Sequence, residues 1–89
     1  MNTKAEIKQF ILRALKRMDG APMPDVSLIE SVSTAVRDAA GKRPLVSDIN
    51  ASVRELELGG YIHGDEDELD KSVSWTLTPK GLHKAKQLG

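Results

Sequence analysis

The sequence predicts a mainly α-helical domain that carries a small antiparallel β-hairpin. Apolar residues recur at intervals of three and four along the first, second and third predicted helices, which is the spacing of amphipathic helices. Two short stretches that favour extended structure, 61–63 and 73–77, flank an acidic turn at 65–70. Glycine or proline stands at most of the boundaries between these elements and marks where each one ends.

The first two helices are predicted at about 4–18 and about 25–40. In the first helix, Thr3 and Glu6 form a capping box, and Asp19-Gly20 ends the periodic pattern. The linking segment contains two prolines, so we predict a loop there with at most a residue or two of edge strand. The core-facing stripes of the two helices are Ile7, Phe10, Ile11, Ala14, Leu15 and Met18, then Leu28, Ile29, Val32, Ala35, Val36 and Ala39.

The third helix is predicted at about 48–58, with Ser47 as its N-cap. Gly60 favours the left-handed backbone that stops a helix, and the hairpin follows at about 61–77. Thr78-Pro79 is a capping residue followed by a proline suited to the first turn, so a last helix is predicted at about 79–87. The whole chain, 1–89, is expected to form one domain.

Composition limits the function classes that remain. The chain has 89 residues, no cysteine and a formal net charge of zero, so it has no disulfide and no thiolate metal site. No apolar run approaches the roughly 20 residues that span a membrane, and the amphipathic N-terminus does not resemble a signal peptide. We therefore expect a cytoplasmic protein that does not contact a membrane.

Two stretches resemble the winged helix-turn-helix superfamily, of the kind found in MarR-type and PadR-type regulators. Residues 56–62, Leu-Glu-Leu-Gly-Gly-Tyr-Ile, are similar to the junction between recognition helix and wing. Residues 77–81, Leu-Thr-Pro-Lys-Gly, are similar to the end of the wing and the start of the last helix. The resemblance implies three helices, a two-stranded wing and a short C-terminal helix. It also implies DNA binding by helix 3 in the major groove, transcription regulation and a homodimer.

Helix 3 carries the candidate DNA-binding residues. Its outward face has a continuous row without an acidic residue, in which Asn can pair with adenine and Arg with guanine. Basic residues near helix 3 in the chain could contact phosphates. The alternative is that this row is a solvent-exposed helix face without a binding role. The base-edge candidates are Ser47, Asn50, Ala51 and Arg54, and the phosphate candidates are Lys42, Arg43 and Lys71.

The charge pattern departs from that of a typical DNA-binding wing. Residues 55–70 contain seven acidic residues and no basic one, and the connection at 41–46 is longer than the tight turn of the simplest helix-turn-helix. The alternative function is therefore a protein-interaction module that uses its acidic wing or an apolar helix face. A phage or mobile-element origin would suit so short a domain. The docking candidates in the wing are Asp65, Glu66, Asp67, Glu68 and Asp70.

Other chemistries find little support in the sequence. A calcium loop is not expected, because Leu69 occupies a ligand position and the acidic run lacks a glycine. His63 and His83 have no metal-ligand spacing, and no nucleophile or phosphate-loop motif is present, so we predict no metal, no cofactor and no enzyme. Trp75 alternates with Val73 and Leu77, which predicts a core face; a stacking platform for bases is the alternative.

Overall fold

The computed structural model describes the backbone of residues 3–88 and the side chains of residues 5–88. The predicted fold class, helices with a small antiparallel hairpin, is confirmed. The cap predicted for the Thr3 side chain lies outside the described side chains. The elements are α1 Thr3–Arg17, β1 Met23–Pro24, α2 Asp25–Ala40, α3 Val46–Leu58, β2 Ile62–Glu66, β3 Val73–Leu77 and α4 Pro79–Gln87.

Helix α1 lies at the centre of the domain and packs against α2, α3 and α4. The apolar stripes meet there: Ile7 and Ile11 of α1, Leu28 of α2 and Ile49 of α3 are fully buried. Complete burial of each such side chain stabilises the fold by about 1.5–3 kcal/mol. Among the predicted stripe residues, Ala39 instead lies exposed at the end of α2. No described helix combines the length and the apolar character needed to cross a membrane.

The sheet has three antiparallel strands in the order β1-β3-β2, one strand more than the predicted two-stranded wing. Met23 pairs with Trp75 on one side of β3, and Gly64 pairs with Trp75 on the other. The extra strand is two residues long and lies at the sheet edge, where a proline is tolerated because its missing N–H faces no partner strand. So short a strand has no periodicity that a sequence could display.

Helix α3 begins two residues earlier than predicted, and the prediction of Ser47 as its N-cap is wrong. The N-cap is Leu45, whose extended backbone (φ −70°, ψ 140°) places its carbonyl to accept from the amides of Asp48 and Ile49 at 3.0 and 3.2 Å. No side chain caps this end. Ser47 therefore lies within the first turn, and its exposed hydroxyl is not used in capping.

The two motifs that carry the resemblance contact each other. Gly60 has the left-handed conformation (φ 80°) and lets the chain turn from α3 into β2. The Thr78 hydroxyl donates to the Gly60 carbonyl at 2.6 Å and accepts from the Gly81 amide at 3.0 Å, so Thr78 is the N-cap of α4, as predicted. Lys80 donates to the Gly59 carbonyl at 2.7 Å. These bonds fasten the start of α4 to the junction between α3 and the wing.

Candidate nucleic-acid interface

The reading row, defined as Ser47, Asn50, Ala51 and Arg54, lines one shallow concavity on the outer face of α3. Ser47, Asn50 and Arg54 are exposed, and Ala51 is half-buried between them. Because Ile49, Val53 and Leu56 hold the opposite face of α3 in the core, the helix cannot rotate to hide this row. The fold thus presents the predicted row to solvent as one surface.

The side chains of Asn50 and Arg54 in the reading row make no polar contact within the described protein. Asn50 and Arg54 form no side-chain hydrogen bond or ion pair with any residue of the described 5–88 segment. Both also border a second, smaller depression of about 240 Å³, together with Asp25, Glu57 and Trp75. An amide and a guanidinium that are free in this way can hydrogen-bond to a ligand without first breaking an internal bond.

Acidic side chains flank the reading row, and the negative charge of one of them is partly offset by a nearby lysine. Glu55 borders the same concavity as the reading row, but its carboxylate lies 3.5 Å from the Lys8 ammonium of α1. Such an exposed pair contributes at most about 1 kcal/mol, yet it offsets part of the negative charge beside the row. Glu57 is exposed and has no ion-pair partner among residues 5–88.

The structure does not gather the three predicted phosphate contacts at this concavity. Arg43 turns back to α2, where its guanidinium lies 3.2 Å from the Ser33 hydroxyl and 3.9 Å from the Glu30 carboxylate. Lys71 lies 3.8 Å from the Glu66 carboxylate across the wing. Lys42 is exposed and has no partner within the described chain. None of the three borders the reading-row concavity.

Most of the wing carboxylates are engaged in local contacts. Asp67 accepts from the Leu69 amide at 2.8 Å, and Asp70 accepts from the Ser72 amide at 2.9 Å. Hydrogen bonds from the Ser72 hydroxyl and then from its backbone amide hold the pKa of Asp70 below its ordinary value. These Asx-type turns explain why acidic residues suit the tip, and they let Lys71 adopt a left-handed backbone (φ 63°).

Trp75 occupies the core position predicted for it. Its side chain is buried and packs on Gly64, and its indole nitrogen donates to the Asp25 carboxylate at 2.9 Å. A buried ring held in this way does not offer a face for stacked bases. The nearness of Asp25 to the reading row could not be predicted from sequence, because only the tertiary fold brings the start of α2 beside α3, whereas Glu57 lies on α3 itself one turn after Arg54.

The remaining titratable residues form no dense cluster. His63 lies in β2, with Nε2 3.0 Å from the Asp65 carboxylate. Within the described residues, no three histidine, aspartate or glutamate side chains come together in a way that could hold a metal ion.

This arrangement, in which α3 is followed by a hairpin and a final helix, is the winged helix-turn-helix fold. No protein-family model matches the chain, and no curated protein matches it. Solved structures do. One, described as a transcriptional regulator from Clostridium thermocellum, Cth-833, superposes with a TM-score of 0.71 at 18% identity, covering 97% of this chain and 79% of its own.

Two further solved structures share the fold. The circadian clock associated protein Pex from anabaena gives a TM-score of 0.71 at 18% identity, with 96% of this chain and 72% of that chain covered. A cysteine-to-serine mutant of Lactococcus lactis ZitR gives 0.59 at 16% identity, with 92% of this chain and 48% of that chain covered. At these identities the likeness concerns the fold, and the function has to be argued from the residues.

Proposed function

We propose that this chain binds double-stranded DNA and regulates transcription, with α3 in the major groove. The observation that carries the proposal is the reading row, a surface on α3 that is open to solvent. The Asn50 amide and the Arg54 guanidinium in it have no partner within residues 5–88. Asn and Arg can each form paired hydrogen bonds with a purine edge, and Ser47 and Ala51 are small enough to permit close approach. A solved structure described as a transcriptional regulator has the same fold.

The charge distribution makes α3 the main source of affinity in this proposal. The acidic wing would repel phosphates, so it lies away from the duplex when α3 is bound. Of the three predicted phosphate contacts, Lys42 is the one without an acidic partner among residues 5–88. Few phosphates can therefore be neutralised by one copy, and a homodimer would double both the phosphate contacts and the reading helices.

Fluorescence anisotropy with a labelled random duplex at low salt tests the proposal. We expect binding that weakens linearly on a log–log plot as salt rises, because each neutralised phosphate releases counterions. Lys42→Ala should reduce the salt slope by about one. The matched control is Lys71→Ala, which should change the slope less because Lys71 already lies against Glu66. No binding at micromolar protein and low salt would contradict the proposal.

A second candidate function is docking of a protein through the wing. The observation that favours it is Leu69, which is 96% exposed at the wing tip and is followed and preceded by acidic residues. A nearly fully exposed leucine contributes nothing to folding and is available to a partner. Replacing the five wing acids by their amides should abolish this docking; a partner still captured by that variant would not use the wing charge.

A further inference from the structure

A groove lies between the C-terminal end of α1 and the start of α4, on a surface that does not include the reading row. Its floor is apolar, and its volume is about 590 Å³. Leu82, which is 39% exposed, lies in this groove together with the half-buried Leu77. Lys16 from α1 and Lys86 from α4 border it, and Asp19 is the one acidic residue in its lining.

The two lysines that border this α1–α4 groove outnumber its one acidic residue, Asp19, and neither of them is held in an ion pair among residues 5–88. No other acidic side chain comes from α4, because that helix contains none. Elsewhere, basic side chains such as Lys8 and Lys71 lie against carboxylates. The groove therefore suits a ligand that combines an apolar group with negative charges on either side of it.

The wing tip, residues 67–72, has that chemistry. Leu69 stands between Glu68 and Asp70, and Glu68 has no ion-pair partner among the described residues. The tip is also ordered before any docking, since Asp67 accepts from the Leu69 and Asp70 amides at 2.8 and 3.4 Å. A preformed tip loses less conformational entropy on binding than a flexible one.

We propose that the wing tip of one copy docks in the α1–α4 groove of a second copy, with Leu69 on the apolar floor. Glu68 and Asp70 then face Lys16 and Lys86 of that second copy. The contact is heterologous: one copy uses its wing and keeps its groove free, and the other uses its groove and keeps its wing free, so further copies can add in a row. This names the partner for the wing-docking function and rests on that second candidate, not on DNA reading.

A second copy fits the groove better than a nucleic acid does. Phosphate groups would be attracted to the lysines but would gain nothing from the leucines on the floor. The wing tip satisfies both features with consecutive residues of the same chain. The contact is small, so we expect association that is weak at micromolar concentration, evident towards millimolar concentration and reduced by added salt.

Amide NMR spectra of the full chain, recorded without DNA over that concentration range, test the proposal. Shifts should move together at two places, the wing tip and the groove residues around Leu82, and should return when salt is added. Two variants separate the surfaces: Leu69→Lys disables the wing, and Lys16→Glu combined with Lys86→Glu disables the groove. Leu58→Lys is the matched control, since Leu58 is 81% exposed but borders neither surface.

Neither disabled variant should self-associate, and the Leu58→Lys control should behave as the unaltered chain does. Mixing the two disabled variants should restore association that stops at a pair, because only one intact wing and one intact groove remain.

A chain whose shifts stay unchanged with concentration would overturn the proposal, as would disabled variants that still associate or a mixture that does not. Groove shifts that need added duplex would assign the groove to nucleic acid instead. Since no DNA is used in the main test, its failure leaves the DNA proposal standing.

Discussion

The Trp75 indole nitrogen lies 2.9 Å from the Asp25 carboxylate, and this hydrogen bond joins the middle of β3 to the first residue of α2. Both residues border the depression that Asn50 and Arg54 enter from α3. The bond therefore joins the sheet to α2 at the depression that α3 also borders. It also engages one oxygen of Asp25, an acidic residue in the depression that Arg54 borders.

Replacing Asp25 by alanine should destabilise the fold by about 1–3 kcal/mol, because the partly buried indole N–H would lose its acceptor. Asp25→Asn keeps an oxygen acceptor and should lose less, with only the favourable charge at the start of α2 removed. Urea denaturation of the two variants measures the difference. Equal decreases in the free energy of unfolding for Asp25→Ala and Asp25→Asn would show that the Trp75–Asp25 hydrogen bond does not stabilise the contact between β3 and α2.

Gly81 should not tolerate a side chain. A Cβ at this position would collide with the carbonyl oxygen of Tyr61, which is backbone and cannot rotate away. We expect Gly81→Ala to lower the free energy of unfolding by about 1–3 kcal/mol, the usual cost of overpacking. Gly20→Ala is a useful comparison, since its Cβ would meet no atom within 4 Å and its cost comes only from the positive φ. A smaller loss at Gly81 than at Gly20 would contradict the close approach of α4 to the Tyr61 backbone just before β2.

Removing the hydroxyl of Ser52 should increase the stability of the fold. The side chain is fully buried in α3, and its oxygen has no hydrogen-bond partner among the described residues. An unsatisfied buried hydroxyl costs about 1–3 kcal/mol, so Ser52→Ala should raise stability by on the order of 1 kcal/mol, helped by the better helix propensity of alanine. Thermal unfolding measures this, with the exposed Ser31→Ala on α2 as control. A lower melting temperature for Ser52→Ala would indicate that the hydroxyl has a partner.

Lowering the pH should break the hydrogen bonds that Asp70 accepts at the wing tip. The Ser72 hydroxyl and amide lower the pKa of Asp70 below its ordinary value of 3.8. A lowered folded-state pKa means that the bonds stabilise the tip above pH 3.8 and are lost as pH falls through the lowered value. NMR titration should therefore show the Ser72 amide shift changing together with the Asp70 carboxyl, below pH 3.8. Ser72→Ala should raise the Asp70 pKa; an unchanged midpoint would rule out the hydroxyl as a cause.

The features that sequence could predict are local ones. The helical stripes, the Thr78 cap and the Gly60 stop each depend on a few neighbouring residues, and the structure has them with the exception of Ala39 in the second stripe. The start of α3 was misplaced because the Leu45 backbone, and not a polar side chain, receives its first amides. Strand β1 lies where a residue or two of edge strand was allowed, but two residues carry no pattern that could predict their pairing with β3.

The site was less predictable than the fold. The reading row follows from helical periodicity, so its shared exposed face could be anticipated. The positions of Arg43 and Lys71 could not, because long basic side chains bind whichever carboxylate the tertiary fold places within reach. The burial of Ser52 could not be predicted for a similar reason: Asp48 and Glu55 lie one turn before and after it on α3, and nothing local shows that the rest of the domain covers it.

The central claim is that Arg54 reads a base, and a selection from a random duplex pool tests it most directly. The unaltered chain should enrich a specific sequence, and Arg54→Ala should lose about 1–3 kcal/mol of discrimination at one position while the others keep their preference. Arg17→Ala removes the same charge from α1 and should leave the enriched sequence unchanged. If Arg54→Ala enriches the same sequence with the same preference at every position, or if the unaltered chain enriches none, α3 does not read DNA through this row.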